Sequence, residues 1–256
     1  MIGLIDLEFN TGGASGYEKN NFALIDITLM IVDEKNKYKP VETYNKLVKP
    51  PKGKTILNKA IIDLTSITQQ MLNNGTPMNE VYEQLKKMYS QYKPQKIYSW
   101  GNCDEEVIAW NYEHFGIGKM TGITADEVCV HFTDLEEVLR KKCNGTHAIS
   151  QANMAVLCDY RPKGQHRAFD DVETMRQILI AFSKTTIDEM KERYSSFDCY
   201  AQIKKTYSQA MNLIRNAEEQ DIDVSEMLAT ARTGTEFPSF YDAYNDKFDD
   251  QTFSWL

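Results

Sequence analysis

The first nine residues, MIGLIDLEF, set two acidic side chains at alternate positions within an apolar run. Successive side chains of a β-strand point to opposite faces, so this pattern predicts a strand with Ile5, Leu7 and Phe9 on one face. Asp6 and Glu8 would then leave from the other face. Neighbouring carboxylates repel each other unless a cation lies between them, and oxygen ligands suit a divalent metal ion. The opening strand therefore carries two candidate metal ligands, and because such a pair alone is a weak signal in a chain with 37 acidic residues, the assignment needs further acids.

Two further apolar runs, over residues 22–32 and 37–48, predict strands that form an antiparallel meander with the first. Short strands are also predicted over residues 96–100 and 128–132. Apolar residues at helical spacing predict helices at residues 57–63, 66–73, 78–92, 104–115, 133–142, 149–158 and 168–183. We expect an α/β fold, in which helices flank a mixed sheet whose first three strands are antiparallel.

The composition changes near residue 185, beyond which the chain is helical and polar. This change predicts a main domain over residues 1–185 and a helical C-terminal extension over residues 186–256. Helices of the extension are predicted at residues 186–194, 199–218 and 223–232. Residues 237–248 carry four aromatic side chains at helical spacing, namely Phe237, Tyr241, Tyr244 and Phe248. We favour docking of this stripe on the main domain over the alternative, a homodimer or protein-partner surface.

The charge balance narrows the function classes. With 37 acidic and 29 basic residues the net charge is −8, which argues against a basic coat protein of nucleic acid but not against an enzyme that acts on one. No stretch approaches the ~20 apolar residues of a membrane span, and no leader of the secretory type precedes the first strand. The five cysteines form no C-x-x-C pair and predict reduced thiols in the cytoplasm.

Further acids lie at two predicted helix starts. Asp104 follows a predicted strand and Gly101, and a helix cap is its simplest interpretation. Asp170 and Asp171 fall in a first helical turn, where negative charge suits the helix dipole. His166 precedes that helix, and a histidine held near acids can also serve as the general base for a metal-activated water. Each residue alone has a structural explanation.

Taken in order, these residues resemble a known catalytic series. The segments IDLEF, SWGNCDEEVI and HRAFDDVET resemble the three motifs of the DEDDh family of 3′→5′ exonucleases, in the ribonuclease H-like superfamily. The pattern of the third motif, His-x-Ala-x-x-Asp, selects Asp171 over Asp170. The segment DLTSIT and the Trp-Gly before Asp104 are similar to the subgroup of histone-mRNA and small-RNA 3′ exonucleases. The resemblance covers residues 1 to about 183.

The resemblance implies a ribonuclease H-like exonuclease domain that binds two divalent metal ions. These would be Mg²⁺, with Mn²⁺ as the substitute, held by Asp6, Glu8, Asp104 and Asp171. Asp6 would bridge the ions, Glu8 and Asp171 would complete the site of the attacking water, and Asp104 would support the second ion. His166 would take the proton from that water. The implied product is a 5′-mononucleotide released from a single-stranded or overhanging 3′ end, with RNA favoured over DNA.

Four residues are candidate substrate contacts. Arg167 and Lys163 flank the third motif and could bind backbone phosphates. Phe9 could stack on a base or pack in the core. Many members of the family have a threonine after the first glutamate, where this chain has Phe9 and Asn10, and this departure bears on how the 3′ end is positioned. The alternative function is a nuclease-fold interaction module with little or no catalysis, which would act through residues 237–248.

Overall fold

A six-stranded mixed sheet forms the centre of the fold. The computed structural model describes residues 1–10, 22–51, 56–162, 166–218 and 239–240. The strands are β1 (Ile2–Phe9), β2 (Leu24–Asp33), β3 (Lys39–Lys49), β4 (Thr76–Pro77), β5 (Ile97–Ser99) and β6 (Thr133–Asp134). Their order in the sheet is β4-β3-β2-β1-β5-β6. The first three strands are antiparallel neighbours, as predicted, whereas β5 pairs with β1 and β6 pairs with β5 in parallel.

Helices flank this sheet and confirm the predicted α/β class. They are α1 (Lys59–Thr65), α2 (Gln69–Asn73), α3 (Met78–Tyr92), α4 (Cys103–His114), α5 (Ile117–Thr121), α6 (Leu135–Lys142), α7 (Gln151–Leu157), α8 (Ala168–Lys184) and α9 (Ile187–Glu218). In the part of the chain that the structure describes, no helix combines the length and the apolar character that crossing a membrane requires.

The first strand is buried on both faces. Ile5 and Leu7 pack in a core with residues of α3 and α4, as their alternation predicts. Ile2 and Leu4 point the other way, into a core built largely from α6, α7, α8 and the start of α9. The two acids of β1 therefore lie on the face that α8 covers, at the end of the strand beyond this second core.

The extension begins with one long helix and not with the two predicted ones. A break was predicted between residues 194 and 199, but α9 runs through it, including Ser195 and Ser196. Tyr194 and Phe197 are buried in the core shared with α8, and this tertiary packing holds the helix together across the serines.

Most of the predicted aromatic stripe lies outside the described residues, as does the predicted helix over residues 223–232. Of residues 237–248 the structure describes Ser239 and Phe240. Phe240 is buried, and its ring packs edge-on against that of Phe197, with the centroids 5.2 Å apart. The docking or partner role of the stripe stays a prediction, and so does the division into domains at residue 185.

The strand predicted over residues 128–132 is wrong. Val128 and Phe132 are buried, but the backbone amide of Phe132 donates to the Glu105 carboxylate at 2.8 Å. The strand that pairs with β5 follows directly, as the two-residue β6. It ends at Asp134, whose carboxylate accepts from the Gly101 amide at 3.0 Å and caps α6. The apolar side chains of Val128 and Phe132 therefore indicated burial and not a strand.

The side-chain hydrogen bonds of Asn111 on α4 should contribute measurably to the free energy of unfolding. Its Oδ1 accepts from the Leu24 amide at 3.0 Å, and its Nδ2 donates to the carbonyls of Phe22 and Val107 at 2.6 and 2.7 Å. Asn111→Ala leaves the buried Leu24 amide unpaired, so we expect urea denaturation to show a loss of about 2–3 kcal/mol in the free energy of unfolding. The exposed Asn45 on β3 offers a control, since Asn45→Ala should change stability by about 0.5 kcal/mol or less. Equal effects of the two substitutions would contradict this role.

Candidate active site

The two acids of β1 lie beside β2 in a fixed register. Asp6 is opposite Thr28, and Glu8 is opposite Asp26. Both acids of β1 are half-buried. Because β1 is fixed on both faces by apolar packing, the strand can hold its carboxylates in place where they repel each other.

Asp104 reaches β1 from the other edge. The pairing of β5 with β1 is at Gly3 and Leu4, so the later residues of β1 extend past the end of β5. Asp104 occupies this position from the first turn of α4, where Asn102 and not Asp104 is the N-cap. The Leu7 backbone amide donates to the Asp104 carboxylate, yet burial prevails and raises its pKa to about 7.

The start of α8 supplies the third group of site residues. Asp171 lies in the first turn of this helix, and its Oδ2 accepts from the backbone amide of His166 at 3.0 Å. His166 has a positive φ of 62°, so the chain turns sharply just before the helix. The side chain of Gln151 on α7 donates to the Asp171 carbonyl at 3.0 Å, which joins the two helices at the site.

Three carboxylates from two elements, β1 and α8, converge on one point. One ligand oxygen from each of Asp6, Glu8 and Asp171 lies within 4.8 Å of the other two. They open into a cleft of about 420 Å³. The cleft is lined by Asp6, Leu7, Glu8, Trp100, Ser150, Gln151, Ala152, His166 and Asp171. Four residues of the predicted catalytic series line this cleft, namely Asp6, Glu8, His166 and Asp171. Asp104 is not among the lining residues, but it accepts from the Leu7 amide of β1 and its charge acts on Asp6.

Electrostatics indicate that this cluster needs positive charge. Burial and then repulsion from Asp104, Asp171 and Glu8 raise the pKa of Asp6 well above its ordinary value. Burial and then repulsion from neighbouring carboxylates raise the pKa of Glu8 to about 8, although the positive charge of Arg167 partly opposes this rise. Burial also raises the pKa of Asp171. An all-oxygen set of crowded acids is the donor chemistry that Mg²⁺ or Mn²⁺ prefers, so the residues fit a divalent cation.

The predicted substrate contacts lie in different surroundings. Phe9 is half-buried and packs edge-on against Phe22, with ring centroids 5.6 Å apart. Asn10 is fully buried, where its Nδ2 donates to the Ile56 carbonyl at 3.1 Å and its Oδ1 accepts from the Asn58 amide at 2.9 Å. Those bonds tie the end of β1 to the start of α1. Their roles toward substrate stay predictions.

The two basic candidates differ as well. The Nε of Arg167 donates to Asp26 Oδ2 at 2.9 Å, so one edge of its guanidinium is engaged within the protein. Lys163 lies outside the described residues. A phosphate contact by either side chain stays a prediction.

Sequence reasoning missed Asp26. It lies in the second strand, FALIDITLMIV, as the one acid of that run. An acid on an otherwise apolar strand was the signal that singled out Asp6, and the same signal was present here. Its partner Arg167, 141 residues away, could not be found from spacing.

Comparison with known proteins identifies a matching family and structures that share this fold. The RNase_T family model, described as an exonuclease, matches residues 4–179. A 3′-exonuclease solved in its specific recognition of the histone mRNA stem-loop has a TM-score of 0.60 and 12% identity, over 72% of this chain and 81% of that one. The nuclease domain of 3′hExo, a DEDDh family member bound to rAMP, has a TM-score of 0.57 and 14% identity, over 72% and 91%.

A third similar structure is cell-death related nuclease 4, with a TM-score of 0.56 and 22% identity, over 71% of this chain and 64% of that one. At such identities these structures show that the fold is shared. No curated protein sequence matches this chain.

The raised pKa values predict that the protein without divalent ions loses stability as the pH rises. An acid whose pKa is higher in the folded state holds its proton more tightly when the protein is folded. Stability therefore falls as the pH rises from the pKa of the unfolded state to that of the folded state. For Glu8 this window runs from 4.5 to about 8. We expect urea denaturation in the presence of a chelator to show that the free energy of unfolding falls by about 2 kcal/mol or more across this pH window.

Glu8→Gln tests the origin of this loss, because it keeps the shape and removes the ionisation. The variant should be more stable than the unsubstituted protein at pH 8 and should show a flatter profile. Glu83→Gln, at an exposed position on α3, should keep the original profile. A pH-independent stability of the unsubstituted protein would contradict the prediction.

Proposed function

The chain belongs to the RNase_T exonuclease family, and from this membership we propose that it is a metal-dependent 3′→5′ exonuclease that releases 5′-mononucleotides. The observation that carries the proposal is the convergence of Asp6, Glu8 and Asp171, whose ligand oxygens lie within 4.8 Å of one another. His166 lines the same cleft. Acids from β1 and α8 and a histidine at the start of α8 are the groups that phosphodiester hydrolysis by metal ions requires.

Four carboxylates would hold the metal ions. Asp6, Glu8 and Asp171 offer one site directly, and Asp104, whose charge acts on Asp6, supports a second on the α4 side. Two Mg²⁺ ions, or Mn²⁺ in their place, would supply Lewis-acid stabilisation to the attacking water and to the leaving oxygen of an in-line displacement. The acids of this chain fix the geometry of that site and balance its charge.

His166 acts as the general base in this proposal. His166 is an exposed residue that lines the cleft, and its backbone amide donates to Asp171 Oδ2. An exposed imidazole can take a proton from the attacking water and pass it to bulk solvent. The hydrogen bond to Asp171 links the base to a carboxylate that would hold the same water's metal ion.

We propose a single-stranded or overhanging 3′ end as the substrate, with RNA preferred over DNA. Two observations support RNA: the DLTSIT and Trp-Gly segments resemble RNA 3′ exonucleases, and one structure of the same fold recognises a histone mRNA stem-loop. The cleft volume of about 420 Å³ suits a ligand the size of one terminal nucleotide. A cytoplasmic location and a dimer or partner contact through residues 237–248 stay predictions.

Asp6→Asn should abolish nucleotide release. The substitution keeps the shape but removes the charge that would bridge both metal ions, so we expect a loss of at least about 10³-fold in kcat with the fold intact. The assay uses end-labelled RNA and DNA as single strands, 3′ overhangs and blunt duplexes, with Mg²⁺, Mn²⁺ or chelator. Asp188→Asn, at an exposed position on α9, is the matched control and should keep full activity. Activity of Asp6→Asn equal to that of the control would refute the assignment, and release of no nucleotide by the unsubstituted protein would favour the interaction module.

His166→Ala should slow turnover and leave metal affinity largely unchanged. Loss of a general base costs about 10²–10⁴-fold in rate, which single-turnover kinetics would measure. Calorimetric titration with Mn²⁺ reports the metal affinity separately. His131→Ala, at an exposed side chain away from the cleft, serves as the control. A parallel loss of Mn²⁺ binding in His166→Ala would make His166 a ligand and not the base.

A further inference from the structure

Helix α8, which follows His166 and contains Asp171, has no capping side chain at its N-cap residue. Arg167 occupies the N-cap position of α8, and its side chain makes no capping hydrogen bond. A guanidinium group has donors and no acceptor, so it cannot bind the free amides of a first helical turn. Asp171 accepts from the backbone amides of His166 and Arg167, so the amide of Ala168, the first residue of the helix, is left for a group outside α8.

Asp26 on β2 supplies what Arg167 cannot. Its Oδ2 accepts from Arg167 Nε at 2.9 Å, and the backbone amide of Ala168, the first residue of α8, donates to the same carboxylate. One carboxylate thus binds both the side chain at the N-cap and the first amide of the helix. It does so from the strand next to β1, in register with Glu8.

The attachment of α8 to the sheet does not need this ion pair. The helix buries Val172, Met175, Ile178 and Leu179 in the core, which secures its length. An ion pair with a buried carboxylate contributes little to stability compared with apolar side chains of similar size, because the carboxylate loses its hydration. Burial indeed raises the pKa of Asp26 despite its partner. The pair therefore has its clearest effect on the position of the first turn.

We propose that Asp26 is a positioning residue that acts through Arg167 on the first turn of α8. In this role it fixes His166 and Asp171 opposite the acids of β1. Arg167 also places a positive charge near Glu8. The catalytic consequence rests on the proposed function, whereas the hold on the turn does not.

The test compares Asp26→Asn and Arg167→Met with Arg176→Met. Arg176 pairs with Glu173 at 2.6 Å on the same helix, so its loss removes an ion pair of α8 away from the cleft. Hydrogen exchange by mass spectrometry reports the backbone amides of residues 166–171, and steady-state kinetics on single-stranded RNA with Mg²⁺ reports kcat and KM.

We expect both site variants to raise amide exchange over residues 166–171 by about tenfold or more, the size expected for a lost charge-assisted hydrogen bond. Their kcat should fall by about tenfold with KM changed less than twofold, because misplaced groups stabilise the transition state less well and leave substrate binding intact. The double variant should lose no more than either single one, since both remove the same interaction. Arg176→Met should leave both readouts unchanged.

Unchanged exchange in both site variants would overturn the proposal, whatever their activity. It would also be overturned if Arg167→Met raised KM at constant kcat while Asp26→Asn had no effect, since Arg167 would then bind substrate phosphates. If the unsubstituted protein released no nucleotide but both variants exchanged faster, the proposed function would fail and the hold on the turn would stand. Should Arg167→Met fail to fold because it leaves the buried Asp26 carboxylate without its partner, Asp26→Asn decides alone, since it removes the charge and keeps the shape of a side chain that is 1% exposed.

Discussion

Repulsion between carboxylates in a partly buried cleft is the constraint on which the rest of the structure depends. Burial raises the pKa values of Asp6, Glu8 and Asp171, and repulsion from neighbouring carboxylates raises those of Asp6 and Glu8 further. Nothing in the chemistry of these acids keeps them together. The apolar packing of β1 on both faces and of α8 on the sheet supplies the free energy that holds them in place. The hydrophobic core therefore prevents the acids from separating, as the proposed metal site requires.

Each supporting element leaves a particular backbone group available to the site. The short β5 ends early, so the Leu7 amide is free to bind Asp104. The positive φ of His166 turns its amide toward Asp171. Strand ends, a sharp turn and helix starts thus provide the donors that orient these carboxylates, and regular hydrogen bonding within the elements provides the rigid frame.

Sequence patterns predicted correctly those elements that depend on interactions between residues close in the chain. The alternation in β1, the three-strand meander and the extent of α8 follow from side-chain periodicity, and the order of the acids was sufficient to suggest the family. Tertiary contacts caused the differences: the Glu105 carboxylate binds the Phe132 amide where a strand was predicted, and buried Tyr194 and Phe197 keep α9 continuous through two serines. The pairing of Asp26 with Arg167 was missed for the same reason, since the two residues meet only in the folded chain.

The alternation of β1 also has a consequence for folding. A slip of one residue against β2 would move Asp6 and Glu8 to the face that packs on α3 and α4, and burial of two unpaired carboxylates there would be severely unfavourable. Leu4 and Ile5 are both apolar and would tolerate either face, so the acids are what distinguish the correct pairing from the shifted one. The residues that form the site thereby also specify the register of the strand, and a variant that neutralises both acids would lose a safeguard against misfolding along with its chemistry.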